Sequence, residues 1–136
     1  MKLINATALA GTLAVAFGLA APASADIRIG ATLSETGPAA FLGDPEAKTL
    51  KMLVEEINAA GGVGGEKIDL VLYDDGGDPN KARTFATRLI EDDEVVAIIG
   101  GTTTGTSMAI IPVVEEAEVP FISLAGAIEV IDPVQP

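Results

Sequence analysis

The residues best suited to chemistry fall in one run, Gly100-Gly101-Thr102-Thr103-Thr104-Gly105-Thr106-Ser107. Glycine lets a backbone come close to a ligand, and three consecutive threonines supply hydroxyl donors. The run before it, VVAII at 95–99, is apolar like a buried strand, and a helix is expected to follow from Thr103 to Ala117. At such a junction the first helical amides have no intrahelical acceptor, and the helix dipole favours an anion. The expected chemistry is a cradle for a carboxylate or phosphate; capping the helix accounts for only one of the threonines. The nucleotide P-loop, G-x-x-x-x-G-K followed by Ser or Thr, competes for the same residues. Gly100, Gly105 and Ser107 fit its spacing, but Thr106 stands where the lysine must be. Without that lysine nothing reaches the outer phosphates, and a nucleotide is not expected.

Other polar clusters offer less. Asp74, Asp75 and Asp78 lie close together, but their spacing is not that of a calcium loop. Asp78, just before Pro79, reads as a helix N-cap, and the cluster is expected to consist of solvated loop carboxylates. Gly61-Gly62-Val63-Gly64-Gly65 follows a helical stretch and precedes a strand, so it reads as a turn at the edge of the sheet away from function. Glu115, Glu116 and Glu118 read as a solvated helix end. The 136 residues contain no histidine and no cysteine. That removes the usual neutral-pH general base, the commonest metal ligand, thiolate sites and disulfides. No catalytic residue, metal site or cofactor is expected, and the chain does not read as an enzyme.

The elements that must hold these residues alternate. Asp26–Leu33 (DIRIGATL) reads as a first strand. Asp44-Pro45 carries a helix-start signal, followed by Ala47, Leu50, Leu53, Val54, Ile57 and Ala60 at helical spacing, with Gly61-Gly62 as the stop. Lys67–Tyr73 reads as the second strand. A helix from Asp78-Pro79 follows, with a stripe of Ala82, Phe85, Ala86, Leu89 and Ile90. Val95–Ile99 is the third strand and Pro120–Leu124 (PFISL) the fourth. The β-α-β-α-β-α-β order predicts an α/β fold, a parallel doubly wound sheet with helices on both faces. In such a sheet ligands bind beyond the carboxyl ends of the strands. The loops there are 34–43, 74–78, 100–106 and the segment from Ala125 onward.

Residues 1–25 read as an export signal. Lys2 is the positive start, Ala8–Ala20 the apolar stretch, and Ala23-Ser24-Ala25 the cleavage signal, with cutting expected between Ala25 and Asp26. The stretch is too short for a comfortable membrane span, so no stable membrane insertion is expected. The remainder, 26–136, keeps all 20 acidic residues and 7 of the 8 basic ones, a net charge of −13. Nucleic acid, which selects Lys and Arg clusters, is excluded as a partner. A soluble product is expected, periplasmic in a two-membrane bacterium.

Four segments, in order along the chain, carry a family resemblance: IRIGATLSETGPAAFLGDP (27–45), EEINAAGGVGGEKIDLVLYDD (55–75), DPNKARTFATRLIEDDEVVAIIGG (78–101) and VPFISLAG (119–126). Together they resemble the branched-chain-amino-acid-type periplasmic binding proteins, the leucine-binding family of type I fold. The resemblance implies the substrate-binding component of an ABC importer, with an inner-membrane permease as partner of the full-length protein. It implies that the family's carboxylate-binding serine falls on Thr104, beside Thr103 and Gly105. It implies a backbone ligand contact at Ala125, and side-chain contacts from Leu42 with Phe41 beside it. The family's Ser or Thr that helps hold a ligand ammonium falls on Ala127, which has no hydroxyl. The carboxylate clamp is thus kept, while nothing at 127 can bond an ammonium group, so the ligand can be a branched-chain amino acid or a related small carboxylate. Family members are two-lobed and longer, and residues 26–136 are expected to form a partial N-terminal lobe with apolar faces exposed. The alternatives are a ligand-sensing receptor domain or a non-functional truncated remnant.

Overall fold

The computed structural model describes residues 26–132. The expected export signal at 1–25 with its expected cleavage point, and residues 133–136, lie outside the described residues. The elements are β1 (Ile27–Leu33), α1 (Ala40–Ala59), β2 (Ile68–Asp74), α2 (Pro79–Glu91), β3 (Ala97–Gly100), α3 (Thr104–Glu116) and β4 (Phe121–Ser123), followed by a short 3-10 turn, Ile128–Val130. The four strands form one sheet in the order β2-β1-β3-β4, and every pairing is parallel. The expected alternation and doubly wound order are present.

The order of strands places the helices. β1 connects outward to β2 through α1, while β2 to β3 and β3 to β4 run the other way. Right-handed crossovers then put α1 on one face and α2 with α3 on the other. The packing agrees: α2 lies against α3 and β1, and α1 lies against β1 and β2. Between α2, α3 and the sheet sits the core, with Ala82, Ala86, Leu89, Ile98 and Ile110 fully buried and Val95 and Val114 nearly so. Gly30 belongs to this contact, since a Cβ there would lie 3.0 Å from the Leu89 methyls. The α2 stripe is as expected. Asp78 caps α2, accepting from the Asn80 and Lys81 amides, with Pro79 at the first helical position.

The other face is thinner. Side chains alternate along a strand, so Ala31 and Leu33 point toward α1 and are buried there. α1 alone cannot cover four strands. Leu53 and Ile57, expected on its buried stripe, are 44% and 37% exposed, and Ile122 on β4 is 60% exposed. The start of α1 also differs from the expectation at Asp44-Pro45. The helix begins at Ala40, five residues earlier, with Pro45 inside it. The Ala39 carbonyl accepts from the Leu42 and Gly43 amides, and Asp44 pairs with Lys48 instead of capping. Gly43 makes this possible. Its Cβ would lie 2.2 Å from the Ser34 carbonyl oxygen, so only glycine lets the first turn rest on the end of β1.

The Gly61–Gly65 run is the turn expected. Gly61, Gly62, Gly64 and Gly65 all have positive φ, around an isolated antiparallel bridge from Val63 to Glu66. Asn58 locks the next strand: its side chain donates to the Ile68 carbonyl and accepts from the Ile68 amide, both at 2.8 Å.

Candidate functional site

β1 and β3 are neighbours whose connections leave in opposite directions, so the crevice at their carboxyl ends is the topological switch point of the sheet. Everything around it is tied together by polar side chains. The Ser34 amide, at the end of β1, donates across the crevice to Thr102 Oγ1 at 3.0 Å. Thr102 Oγ1 in turn donates to Glu46 Oε2 on α1 at 2.7 Å. The register pairs Leu33 with Asp74, which brings Ser34 and Asp75 side by side. Ser34 Oγ donates to Asp75 Oδ1 at 2.7 Å, and Thr32 Oγ1 donates to Asp75 Oδ2 at 3.0 Å.

A second chain joins the third and fourth loops. Ser107 Oγ donates to the Gly101 carbonyl at 2.8 Å and lies 2.7 Å from Ser123 Oγ. A carbonyl cannot donate, so the Ser107 proton goes to Gly101 and Ser123 donates to Ser107. Ser123 Oγ then accepts from the Ala125 amide at 3.2 Å. Gly101 sits at φ +67°, and a Cβ there would meet Ser107 Oγ at 2.2 Å.

The start of α3 has the geometry expected of the threonine run. Thr103 is the N-cap in extended conformation, and it forms a reciprocal capping box with Thr106. Thr103 Oγ1 takes the Thr106 amide, and the Thr103 carbonyl takes the Ser107 amide. The Thr104 and Gly105 amides belong to the first turn, where no carbonyl precedes them to accept. Both residues are exposed at the helix end, where the dipole is positive.

The structure brings the expected site residues to one edge of the sheet, on two sides of the crevice. Thr103, Thr104 and Gly105 stand on the α3 side. Ala125 and Ala127 follow β4, with Ala127 just before the 3-10 turn. Phe41 and Leu42 stand on the α1 side, in the first turn of the helix and not in the loop, 76% and 43% exposed.

The acidic cluster is corrected. Asp75 is fully buried and not a solvated loop carboxylate. Asp74 accepts from the Thr36 hydroxyl at 2.6 Å and from the Thr36 and Gly76 amides. Burial alone would raise its carboxyl, but these bonds from Thr36 and Gly76, with one from the Glu35 amide, outweigh that and hold it below the usual range. Residue-by-residue reading also passed over Ser34, Glu46 and Ser123, and it did not foresee that Thr102 and Ser107 in the 100–107 run tie the loops together. One signal was available: Thr32 and Ser34 stand at period two at the carboxyl end of β1, alternating with apolar Ala31 and Leu33, and a polar side chain buried there needs a partner.

Residues 26–135 match the family model described as periplasmic binding protein. The chain belongs to the periplasmic binding protein family. It is 48% identical over 107 residues to Leu/Ile/Val-binding protein homolog 7 of Brucella abortus (strain 2308), covering 79% of this chain and 27% of that protein. Among solved structures it resembles the branched-chain amino acid transporter substrate binding protein LivJ of Streptococcus pneumoniae in complex with isoleucine. That match has a TM-score of 0.77 at 33% identity, and covers 80% of this chain and 32% of that one. It also resembles a solute binding protein of an ABC transporter from Rhodopseudomonas palustris BisB5 in complex with 3,4-dihydroxy benzoic acid. There the TM-score is 0.73 at 27% identity, over 80% of this chain and 30% of that one. The chain therefore spans about a third or less of the length of these family members. Among the described residues no helix is long and apolar enough to cross a membrane.

Proposed function

We propose that these residues are part of the ligand-capturing lobe of an exported solute-binding protein that delivers a small carboxylate to an ABC importer. Export by the signal at 1–25, cleavage after Ala25, a periplasmic location and an inner-membrane permease partner are parts of this reading. The observation that carries it is the first turn of α3, at the switch-point crevice. The Thr104 and Gly105 amides lie there at a positive helix end, and Thr103 and Thr106 spend their hydroxyls on the cap. In this reading the Thr104 hydroxyl and the two amides hold the ligand carboxylate. Ala125 contacts the ligand through its backbone, and Phe41 and Leu42 cover its apolar part from the α1 side.

The opposite end of the ligand sets the class. Ala127 offers no hydroxyl to accept from an ammonium group. The site therefore favours a carboxylate whose affinity does not rest on an α-amino group, an aliphatic or aromatic acid. The R. palustris relative bound to a dihydroxybenzoic acid shows that a member with this lobe shape takes such a ligand. Calorimetric titration of the full-length protein with leucine and with its desamino analogue, 4-methylpentanoate, tests this. Comparable affinities are expected. Leucine bound far more tightly than the analogue would overturn the ligand class, and neither bound together with no aromatic acid bound would overturn the site.

A further inference from the structure

Asp75 is a fully buried carboxylate that stands outside the apolar core. Each of its oxygens is occupied, Oδ2 from β1 and Oδ1 from the loops that follow β1 and β2. Oδ1 accepts from Ser34 Oγ at 2.7 Å and from the Gly77 amide at 2.8 Å, and Oδ2 accepts from Thr32 Oγ1 at 3.0 Å. The Ser34 and Thr32 hydroxyls and the Gly77 amide donate, and the Asp75 carboxyl accepts all three. Its own amide donates to the Leu33 carbonyl at 3.0 Å, continuing the β1–β2 ladder one residue past the strands. Ser34 is thereby held at both ends, its hydroxyl by Asp75 and its amide by Thr102. Beyond Ser34 the chain turns directly into 35–42, which carries Phe41 and Leu42, and Gly43 rests on the Ser34 backbone.

We infer that Asp75 is a positioning residue, one that fixes Ser34 and through it the placement of Phe41 and Leu42 opposite the Thr103–Gly105 turn. It touches no ligand itself. Its effect on affinity rests on the ligand site proposed above, but its effect on the loops does not. Losing the acceptor leaves the buried Ser34 and Thr32 hydroxyls without partners. Preorganised loops bind without the cost of ordering them.

The experiment compares amide hydrogen exchange in the full-length protein with that in Asp75→Ala, Asp75→Asn and Ser34→Ala. In Asp75→Ala the Ser34 and Gly77 amides are expected to exchange at least about tenfold faster, while Leu89 and Ile98 in the core stay within about twofold. Asp75→Asn keeps an oxygen where Ser34 and Gly77 donate, and is expected to restore their protection largely. Should Asp75→Ala fail to fold, Ser34→Ala keeps the probe amide and is expected to loosen the same residues. Equal acceleration of core and loop amides would reduce Asp75 to a stability role and overturn the inference, as would unchanged protection at Ser34 and Gly77. Titration with 4-methylpentanoate separates the two claims. Binding by the native protein that weakens at least about tenfold in Asp75→Ala supports both. Equal binding by the two overturns the positioning role, and no binding by the native protein counts against the ligand site while exchange still decides the positioning.

Discussion

Thr102→Val removes one hydroxyl and keeps the shape of the side chain, so it isolates the bond that crosses the crevice. Two interactions disappear. The Ser34 amide, in a fully buried residue, loses its acceptor at 3.0 Å, and Glu46 loses a donor at 2.7 Å. An orphaned buried donor costs about 1–3 kcal/mol. Glu46 is half-buried and water can replace its donor, so that loss is put at no more than about 1 kcal/mol. The expected destabilisation is therefore about 1–4 kcal/mol. For a domain near 100 residues each kcal/mol moves the melting temperature by about 4–8 °C, so a fall of at least about 4 °C is expected. Thr102→Ser keeps the hydroxyl and should fall by much less. Thermal and urea unfolding of native protein and both variants supply the test. Little or no loss in Thr102→Val, with the larger loss in Thr102→Ser, would show that the methyl group and not the hydroxyl bond matters, and would refute the reasoning.

Gly43→Ala is expected to cost about 1–3 kcal/mol, because the added Cβ meets the Ser34 carbonyl oxygen at 2.2 Å and forces backbone to shift. Urea unfolding checks it, with Gly126→Ala as the comparison that meets no neighbour. Asp74 has its carboxyl held below the unfolded value, so its contribution is present above the unfolded pKa and fades as pH falls through the folded pKa. Thr36→Val removes the 2.6 Å bond and is expected to raise the Asp74 pKa, read by carboxyl NMR titration, and to reduce stability near neutral pH more than in strong acid.

The alternation of strands and helices was legible because it rests on local pattern: apolar runs of strand length, a stripe at helical spacing in α2, and Asp78-Pro79 as a start signal. The same logic misplaced the start of α1. Asp44-Pro45 carries an equally good local signal, but Gly43 lets an earlier turn pack on Ser34, and that contact is long-range. The stripe on α1 misled for a related reason: helical spacing marks an apolar face but not whether anything covers it. Asp75 was hidden because its burial depends on the β1–β2 register, which brings residues 32, 34 and 75 together from distant stretches of chain. A carboxylate in a loop sequence reads as solvated until that register is known. The threonine run was legible as a helix start, while the division of labour between Thr103, Thr106 and Thr104 depends on which hydroxyl the capping box consumes.

The proposal stands or falls on whether a carboxylate sits on the first turn of α3. Backbone amide NMR of the full-length protein, titrated with 4-methylpentanoate, reads this directly. Saturable shifts largest at Thr104 and Gly105, weakened by Gly105→Pro, which removes one of the two amides, are the expected result. Saturable binding that leaves both amides unmoved would contradict the site.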